Sequence, residues 1–384
     1  MTFALTGARV HVGDGLQEDL AVLVDGPTIA AIVPTAEIPA DATRLELDRG
    51  ILAAGFVDTQ VNGGGGVLFN EAPTVAALRT IGEAHGRFGT TGFLPTVITD
   101  EIGVIDRAMR AVEAAIEQGV PGILGIHIEG PMLAPSRHGI HDPAQIKTAV
   151  PEVLELVCSL RAGRTLVTVA PEVVGPETIA KLARAGVIVA AGHTEATYEQ
   201  MQAGFTAGVR GVTHLFNAMS QMINRAPGAV GAALDNQDVW CGVIVDGIHV
   251  HPATLRVAMR SRPVHRFMLV TDAMPPVGTE AASFQLQGRR IAVTGDRCVD
   301  ANGTLAGSSL TMDAAVRNLI DLVGFAPAIA LKLASATPAA FIGMADTRGT
   351  IAPARAADLV WLRDDLTIGA TWIGGRQGQG RDAA

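Results

Sequence analysis

Cysteine is scarce in this 384-residue chain. Cys158, Cys241 and Cys298 are odd in number, lie far apart and form no CxxC pair, so they read as buried thiols of a reducing cytoplasm, not a disulfide framework. Long apolar runs are missing as well. None approaches the roughly 18 residues a membrane helix needs, and the opening MTFALTGARVHVGDG lacks the basic stretch and apolar core of a signal peptide. Basic residues are in deficit, 29 Lys and Arg against 38 Asp and Glu, for a net charge of −9. Without a Lys/Arg cluster, nucleic acid and anionic membrane are poor partners. An anionic substrate would need a local arginine or a nest of backbone N–H groups. No tandem repeat at solenoid or propeller periods is present.

What is abundant is apolar: 48% of residues, against 17% charged. That balance suits a compact globule and excludes a disordered chain. A mean hydropathy of +0.32 fits many strands buried on both faces. Residues 1–52 read as a small β unit, with the short runs FALTGARVHV, DLAVLVDG and TIAAIVP broken by Gly, Asp and Pro. From about residue 53, apolar strand-like runs alternate with helix-like segments. Eight strands are expected near 51–61, 90–98, 122–129, 165–171, 187–193, 210–216, 240–249 and 267–273. Helical spacing of apolar residues appears in 74–88 and 101–118, the second capped by Thr99-Asp100 and ended by Gly119. Another helix starts at His251-Pro252. Strands separated by helices imply right-handed βαβ units and a parallel sheet. The expected fold is α/β: a (β/α)8 barrel over 53–348, with a discontinuous β-sandwich formed by 1–52 and 349–384. An insertion of short β runs follows strand eight at 277–306, and helices are expected at about 308–322 and 327–344.

Four of the eight runs end in a residue with metal or acid chemistry: Glu129 in GILGIHIEGP, His193 in VIVAAGHTEA, His214 in RGVTHLFNAM and Asp272 in FMLVTDAMPP. In a parallel barrel all carboxyl ends of strands meet at one mouth, so residues over a hundred positions apart can converge there. Each has a second reading when taken singly. Glu129 could be a strand-end acid capping a helix, each histidine a core residue satisfied by backbone, and Asp272 a turn acid. Together, Glu129, His193 and His214 make a His2Glu set with an open fourth position, the catalytic pattern for zinc, which Fe2+, Mn2+ or Co2+ would also accept. Asp272 would then work as general base and acid. His249 in VDGIHV could polarise a carbonyl, while Asp246 reads as a turn residue. Gly63–Gly66 lacks the Lys-Ser/Thr of a phosphate-binding loop and reads as backbone freedom near the mouth. Arg225, in the loop after His214, is either a bidentate anion clamp or a solvated loop arginine.

In this order and spacing, GFVDTQVNGGGGVLFN (55–70), LGIHIEGPM (124–132), AGHTEATY (191–198), THLFNAM (213–219), VDGIHV (245–250), LVTDAM (269–274), LAGSSLTM (305–312) and TPAAFIG (337–343) resemble the amidohydrolase superfamily, and within it the N-acetylglucosamine-6-phosphate deacetylases. The resemblance covers nearly the whole chain. It implies metal-dependent hydrolysis of the N-acetyl group of N-acetyl-D-glucosamine 6-phosphate to acetate and D-glucosamine 6-phosphate; the alternatives are another enzyme on the same barrel, such as an N-acetylgalactosamine-6-phosphate deacetylase, a deaminase or a cyclic amidase, and a catalytically inactive scaffold barrel. It further implies that His249 contacts substrate, that Ile140 and His141 bind the sugar, that Asn217 and Ala218 hold the phosphate, and that Leu305, Ala306 and Gly307 line the pocket. Arg225 matches an arginine offered to the neighbouring subunit's phosphate, which implies a homodimer. Many superfamily members carry His-x-His at the end of strand one and bind a second metal with it. Here Gln60-Val61-Asn62 stands instead. Neutral amides are poor ligands for a borderline-soft cation, so one tightly held metal is expected.

Overall fold

The computed structural model describes residues 2–378. Residue 1 and positions 379–384 of the expected C-terminal β segment lie outside the described residues. Eight parallel strands follow one another in chain order: β1 Phe56–Val61, β2 Thr90–Ile98, β3 Gly125–Glu129, β4 Arg164–Val169, β5 Ile188–Ala191, β6 Val209–Val212, β7 Trp240–Val243 and β8 Phe267–Leu269. Their registers align the carboxyl ends, with Ile98 beside Glu129 and Glu129 beside Thr168. All nine residues of β2 are buried, as expected of strands covered on both faces. Beyond the β1 ladder the ring is completed at the mouth by a parallel bridge between Val61 and Ala273.

Outside the barrel, two sheets share an apolar core of Leu5, Val10, Val22, Ile29, Leu52, Leu359 and Trp372. A four-stranded sheet holds Thr2–Thr6, Leu20–Asp25, Thr28–Pro34 and Thr43–Glu46. A six-stranded sheet places Leu359–Leu362 antiparallel to Ile51–Ala54. The single strand expected at 51–61 is therefore two. It divides at Gly55, whose N–H donates to Asp358 O (2.8 Å); a Cβ at Gly55 would stand 2.2 Å from the Thr91 side chain. The chain passes there from sandwich to barrel.

The helix Val75–Gly86 is capped by the Thr74 hydroxyl and buries Ala77, Leu78, Ile81, Ala84 and His85, a three-and-four spacing that puts one stripe on the barrel. Each such Leu or Ile contributes roughly 1.5–3 kcal/mol. The next helix, Ile102–Glu117, starts later than expected. Its N-cap is Glu101, with no side-chain cap. Asp100 instead accepts the Glu101 N–H (2.8 Å) and the Asn70 and Gln287 amides, tying loops together. The expected helix at 327–344 is interrupted at Ser335, giving Pro327–Ala334 and Ala336–Phe341. Pro338 has no N–H for the carbonyl four residues back, so one continuous helix is disfavoured. The segment expected at 308–322 is a short helix, Met312–Asn318, followed by a wider turn over Leu319–Val323. After β8, the strands Ser283–Leu286, Arg289–Thr294, Arg297–Val299 and Leu305–Ser308 form the inserted sheet.

Several barrel strands stop short of their expected ends. His193, His214 and Asp272, with φ of 49°, 29° and 52°, lie just beyond β5, β6 and β8, and a residue with positive φ cannot continue a ladder. Cys158 is another departure: Cys241 and Cys298 are buried, but Cys158, at the end of the helix Pro151–Val157, is exposed. Among the described residues no helix is long and apolar enough to cross a membrane.

Candidate active site

Glu129 ends β3, and the next two residues, Gly130-Pro131, turn the chain away from the sheet. Its carboxylate stays buried at the mouth, 2% exposed. From β5 and β6, His193 and His214 bring their Nε2 atoms to 3.2 and 2.9 Å from Glu129 Oε1, and to 3.1 Å from each other. The backbone fixes this aim. His193 Nδ1 donates to Arg137 O (2.8 Å), which in the neutral ring leaves Nε2 as the lone-pair nitrogen. Glu172 anchors the same turn: its carboxylate accepts the Thr194 hydroxyl (2.5 Å) and the Glu195 N–H (2.6 Å). Arg137 adds an ion pair to Glu195.

This triad fits a divalent cation. Tetrahedral ligands at about 2.0–2.1 Å stand about 3.3 Å apart, close to the observed spacings. Two imidazole nitrogens and a carboxylate oxygen converge on one point, and His214 Nδ1 is buried without a hydrogen-bond partner. Glu129, His193 and His214 are the group of metal-capable residues found among the described residues. Burial raises the Glu129 carboxyl, but the hydrogen bonds and charges of His193 and His214 outweigh it and hold the pKa well below the usual value. For His214, burial lowers the pKa and Glu129 more than reverses it, leaving it raised.

Asp272 lies across from the triad. Its Oδ1 accepts amide hydrogens from Gln60 (3.1 Å) and Asn62 (2.6 Å), and Gln60 Nε2 also reaches Glu129 Oε1 (3.2 Å). Burial, then the nearby Glu129 charge, raises its pKa, so this acid is poised to take a proton. His249 is close enough for its charge to act on Asp272. Its Nδ1 contacts Asp246 Oδ2 at 2.6 Å, while Asp246 Oδ1 accepts the Ile248 and His249 N–H groups. Asp246 is thus both the expected turn residue and the orienter of His249. The i,i+3 spacing Asp246…His249 was the available signal for the second role.

Three of these residues sit in left-handed backbone, a conformation L-residues resist. Such outliers cluster where a site over-determines its geometry. His141 is buried with its ring 4.4 Å from that of His193. It contacts Thr99 Oγ1 through Nδ1 (2.8 Å), and burial takes its pKa well down. Ile140 is buried and its carbonyl accepts from Arg289 of the inserted sheet. Asn217 and Ala218 follow His214 in a tight turn where Ala218 O accepts Thr194 N–H (3.1 Å). Leu305–Ser308 runs beside the end of β8, and a Cβ on Gly307 (φ 60°) would stand 2.7 Å from Asp272 O. Arg225 is exposed in its loop and is not drawn into this cluster. The glycine run after β1 is a tight hairpin with Gly65 and Gly66 at φ 62° and 81°, a turn that requires positive φ.

The amidohydrolase family matches residues 51–378. The chain belongs to the amidohydrolase family. It is 43% identical to an N-acetylgalactosamine-6-phosphate deacetylase of Shewanella sp., over 96% of this chain and 94% of that one. It is 34% identical to the N-acetylglucosamine-6-phosphate deacetylase of Haemophilus influenzae, over 98% and 99%. The crystal structure of N-acetylglucosamine-6-phosphate deacetylase from Pasteurella multocida superposes with a TM-score of 0.95 at 33% identity, covering 98% and 99%. A mutant of the Mycobacterium smegmatis enzyme in complex with N-acetyl-D-glucosamine-6-phosphate gives 0.90 at 32%, with the same coverage. This amidohydrolase is therefore a hydrolytic enzyme built on a barrel with a separate β-rich unit, and it carries a buried Glu/His/His group able to hold a metal.

Sequence reasoning misses Gln60, Asn62, Thr99, Glu172 and Asp246 as partners of the candidate site residues. By residue type, Gln60 and Asn62 are only missing metal ligands. Their amide groups are in fact turned, as donors, onto the site's two carboxylates.

Proposed function

We propose that this amidohydrolase hydrolyses the N-acetyl group of N-acetyl-D-glucosamine 6-phosphate, giving acetate and D-glucosamine 6-phosphate in amino-sugar metabolism. The observation that carries it is the convergence of Glu129, His193 and His214 at 2.9–3.2 Å with Asp272 across from them, in a chain similar to deacetylases along nearly its full length. The same residues argue against an inert scaffold, since Glu129, His193, His214 and Asp272 are all present.

Glu129 Oε1, His193 Nε2 and His214 Nε2 would hold one divalent ion, Zn2+ first among candidates, with Fe2+, Mn2+ or Co2+ compatible. Bound there, it supplies Lewis-acid activation of water and of the carbonyl. A single ion is supported by Gln60 and Asn62, whose NH2 groups are taken up as donors to Glu129 and Asp272.

The chain's own residues do the rest. Asp272 keeps Oδ1 engaged by two amides and takes the attacking water's proton at Oδ2. As the C–N bond breaks, Asp272 returns that proton to the amine nitrogen. His249, oriented by Asp246, polarises the acetyl carbonyl as negative charge develops on its oxygen. One such preorganised donor is worth roughly a hundred- to a thousandfold. Ile140 and His141 bind the sugar, Leu305, Ala306 and Gly307 line the pocket, and Asn217 and Ala218 hold the phosphate.

Arg225 completes the phosphate site of a second copy in a homodimer. Exposed Met222 and Ile223 beside it support a loop that packs against a partner subunit. The three cysteines, all free, support a cytoplasmic enzyme.

The 43% identity to an N-acetylgalactosamine-6-phosphate deacetylase favours a second reading, the C4 epimer as substrate. Acetate release from the two sugar phosphates separates them. The first reading expects the higher kcat/KM for the gluco epimer, and the second expects the reverse order. Release from neither removes the function.

A further inference from the structure

The seam between β1 and β8 is held differently from the other seven junctions. Main-chain bonds cross it at the mouth, where Asp272 N–H donates to Gln60 O (3.0 Å) and the Asn62 and Gly63 N–H groups donate to Ala273 O (2.9 Å each). Beneath them a side chain takes over. Asp58, fully buried in β1, accepts the Gln60 N–H (3.1 Å) and the Thr271 N–H (3.4 Å) on Oδ1, and the Thr271 hydroxyl on Oδ2.

A buried carboxyl is an expensive fastener. Desolvation pushes its pKa up to about 7, and apolar residues of similar volume often replace buried charged groups without loss of stability. What this one holds is the residue just before Asp272. On the other side Ser308 Oγ donates to Thr271 O (2.6 Å) and Ser308 N–H to Asp272 O (2.9 Å). Thr271-Asp272 is therefore gripped from both flanks, and Asp272 has φ 52°, a conformation that relaxes unless its neighbours forbid it.

We propose that Asp58 is a positioning residue for the hydrolysis: through Thr271 it fixes the backbone of Asp272 and so aims that carboxylate at the reacting water. Asp58 meets neither substrate nor the triad. The inference rests on the reading of Asp272 as proton carrier.

The test is a double-mutant cycle in the metal-loaded enzyme: Thr271→Val, Asp58→Ala, the pair together, with Thr271→Ser and Asp272→Asn alongside. Misaiming a reacting group by about 1 Å costs on the order of a hundredfold. Each single variant should lose roughly ten- to a hundredfold in kcat, with KM and metal content within about twofold of the parent. The double variant should be no worse than the worse single one, since both cut one connection. Thr271→Ser, which restores the hydroxyl, should recover most of the loss. A parental kcat in Thr271→Val, a loss appearing in KM or metal content, or multiplicative effects in the double variant would each overturn the proposal. If Asp58→Ala does not fold, the Thr271→Val and Thr271→Ser pair decides. Parental activity in Asp272→Asn would instead remove the underlying reading; an inactive Asp272→Asn beside an intact Thr271→Val sinks the positioning role alone.

Discussion

Replacing Asp272 with asparagine changes one atom type at a site whose surroundings determine how the new side chain must sit. Gln60 Nε2 and Asn62 Nδ2 both donate to Oδ1, at 3.1 and 2.6 Å. An asparagine that turns its oxygen to them keeps both hydrogen bonds. The flipped amide would face NH2 with NH2 and lose both, about 1–3 kcal/mol for each buried group left unmade. The NH2 is therefore locked where Oδ2 stood, and no proton can be accepted there. General acid–base help is worth about a hundred- to ten-thousandfold, and Asp272 is used twice, to take the proton and to return it. The expected loss in kcat is thus toward the upper limit, about 4–5.5 kcal/mol at 1.36 kcal/mol per tenfold. Stability should move the other way. Burial and the nearby Glu129 charge raise the Asp272 pKa, so a neutral isostere relieves an unfavourable charge and Tm should hold or rise. Acetate release under saturating substrate, with metal content and a thermal melt, measures all three. A kcat within about tenfold of the parent at unchanged metal content would refute the assignment of Asp272.

Other outcomes follow from the same geometry. Glu172→Gln replaces one of the two carboxylate oxygens that grip Thr194 and Glu195, so a competition titration should show metal affinity about ten- to a hundredfold weaker; unchanged affinity would remove Glu172 from the support of His193. Arg225→Ala should raise KM for the phosphorylated sugar while kcat stays near the parent, and an unchanged KM would take Arg225 out of phosphate binding. His85, buried against Gly63 O (2.9 Å), has its pKa lowered by burial from 6.5 to about 4. The unfolded chain then binds that proton more readily, so stability is full above about pH 6.5 and falls as pH drops toward 4. The loss is about 3 kcal/mol. In His85→Gln this component is absent, and the stability gap between parent and variant should shift by that amount between pH 7 and 4; parallel acid-denaturation curves would contradict it.

Much of the site was legible because each member ends an apolar run, and a parallel barrel sends every such end to the same mouth. Glu129, His193, His214 and Asp272 needed no long-range information beyond that rule. The supporting shell was less legible for physical reasons. Whether Gln60 and Asn62 offer lone pairs or hydrogens depends on which carboxylates face them across the seam, a tertiary fact. Asp58 reads as one acid in a strand until Thr271, more than two hundred residues later, is placed beside it. The apolar runs overextend the strand ends because nothing in VIVAAGHTEA or FMLVTDAMPP announces positive φ at a histidine or aspartate. The break at Ser335 had its cause in view, since Pro338 cannot donate to the carbonyl four residues back. Residue type alone makes Cys158 a core thiol, although it only caps a short helix at the surface.

The claim on which all of this depends is that Glu129, His193 and His214 together hold one divalent ion needed for deacetylation. Metal content measured alongside acetate release from N-acetylglucosamine 6-phosphate, before and after chelation and again after adding back one equivalent, tests it most directly. The account predicts close to one ion per chain, loss of turnover when it is stripped, and recovery at one equivalent. Undiminished acetate release from chains stripped of metal would contradict it.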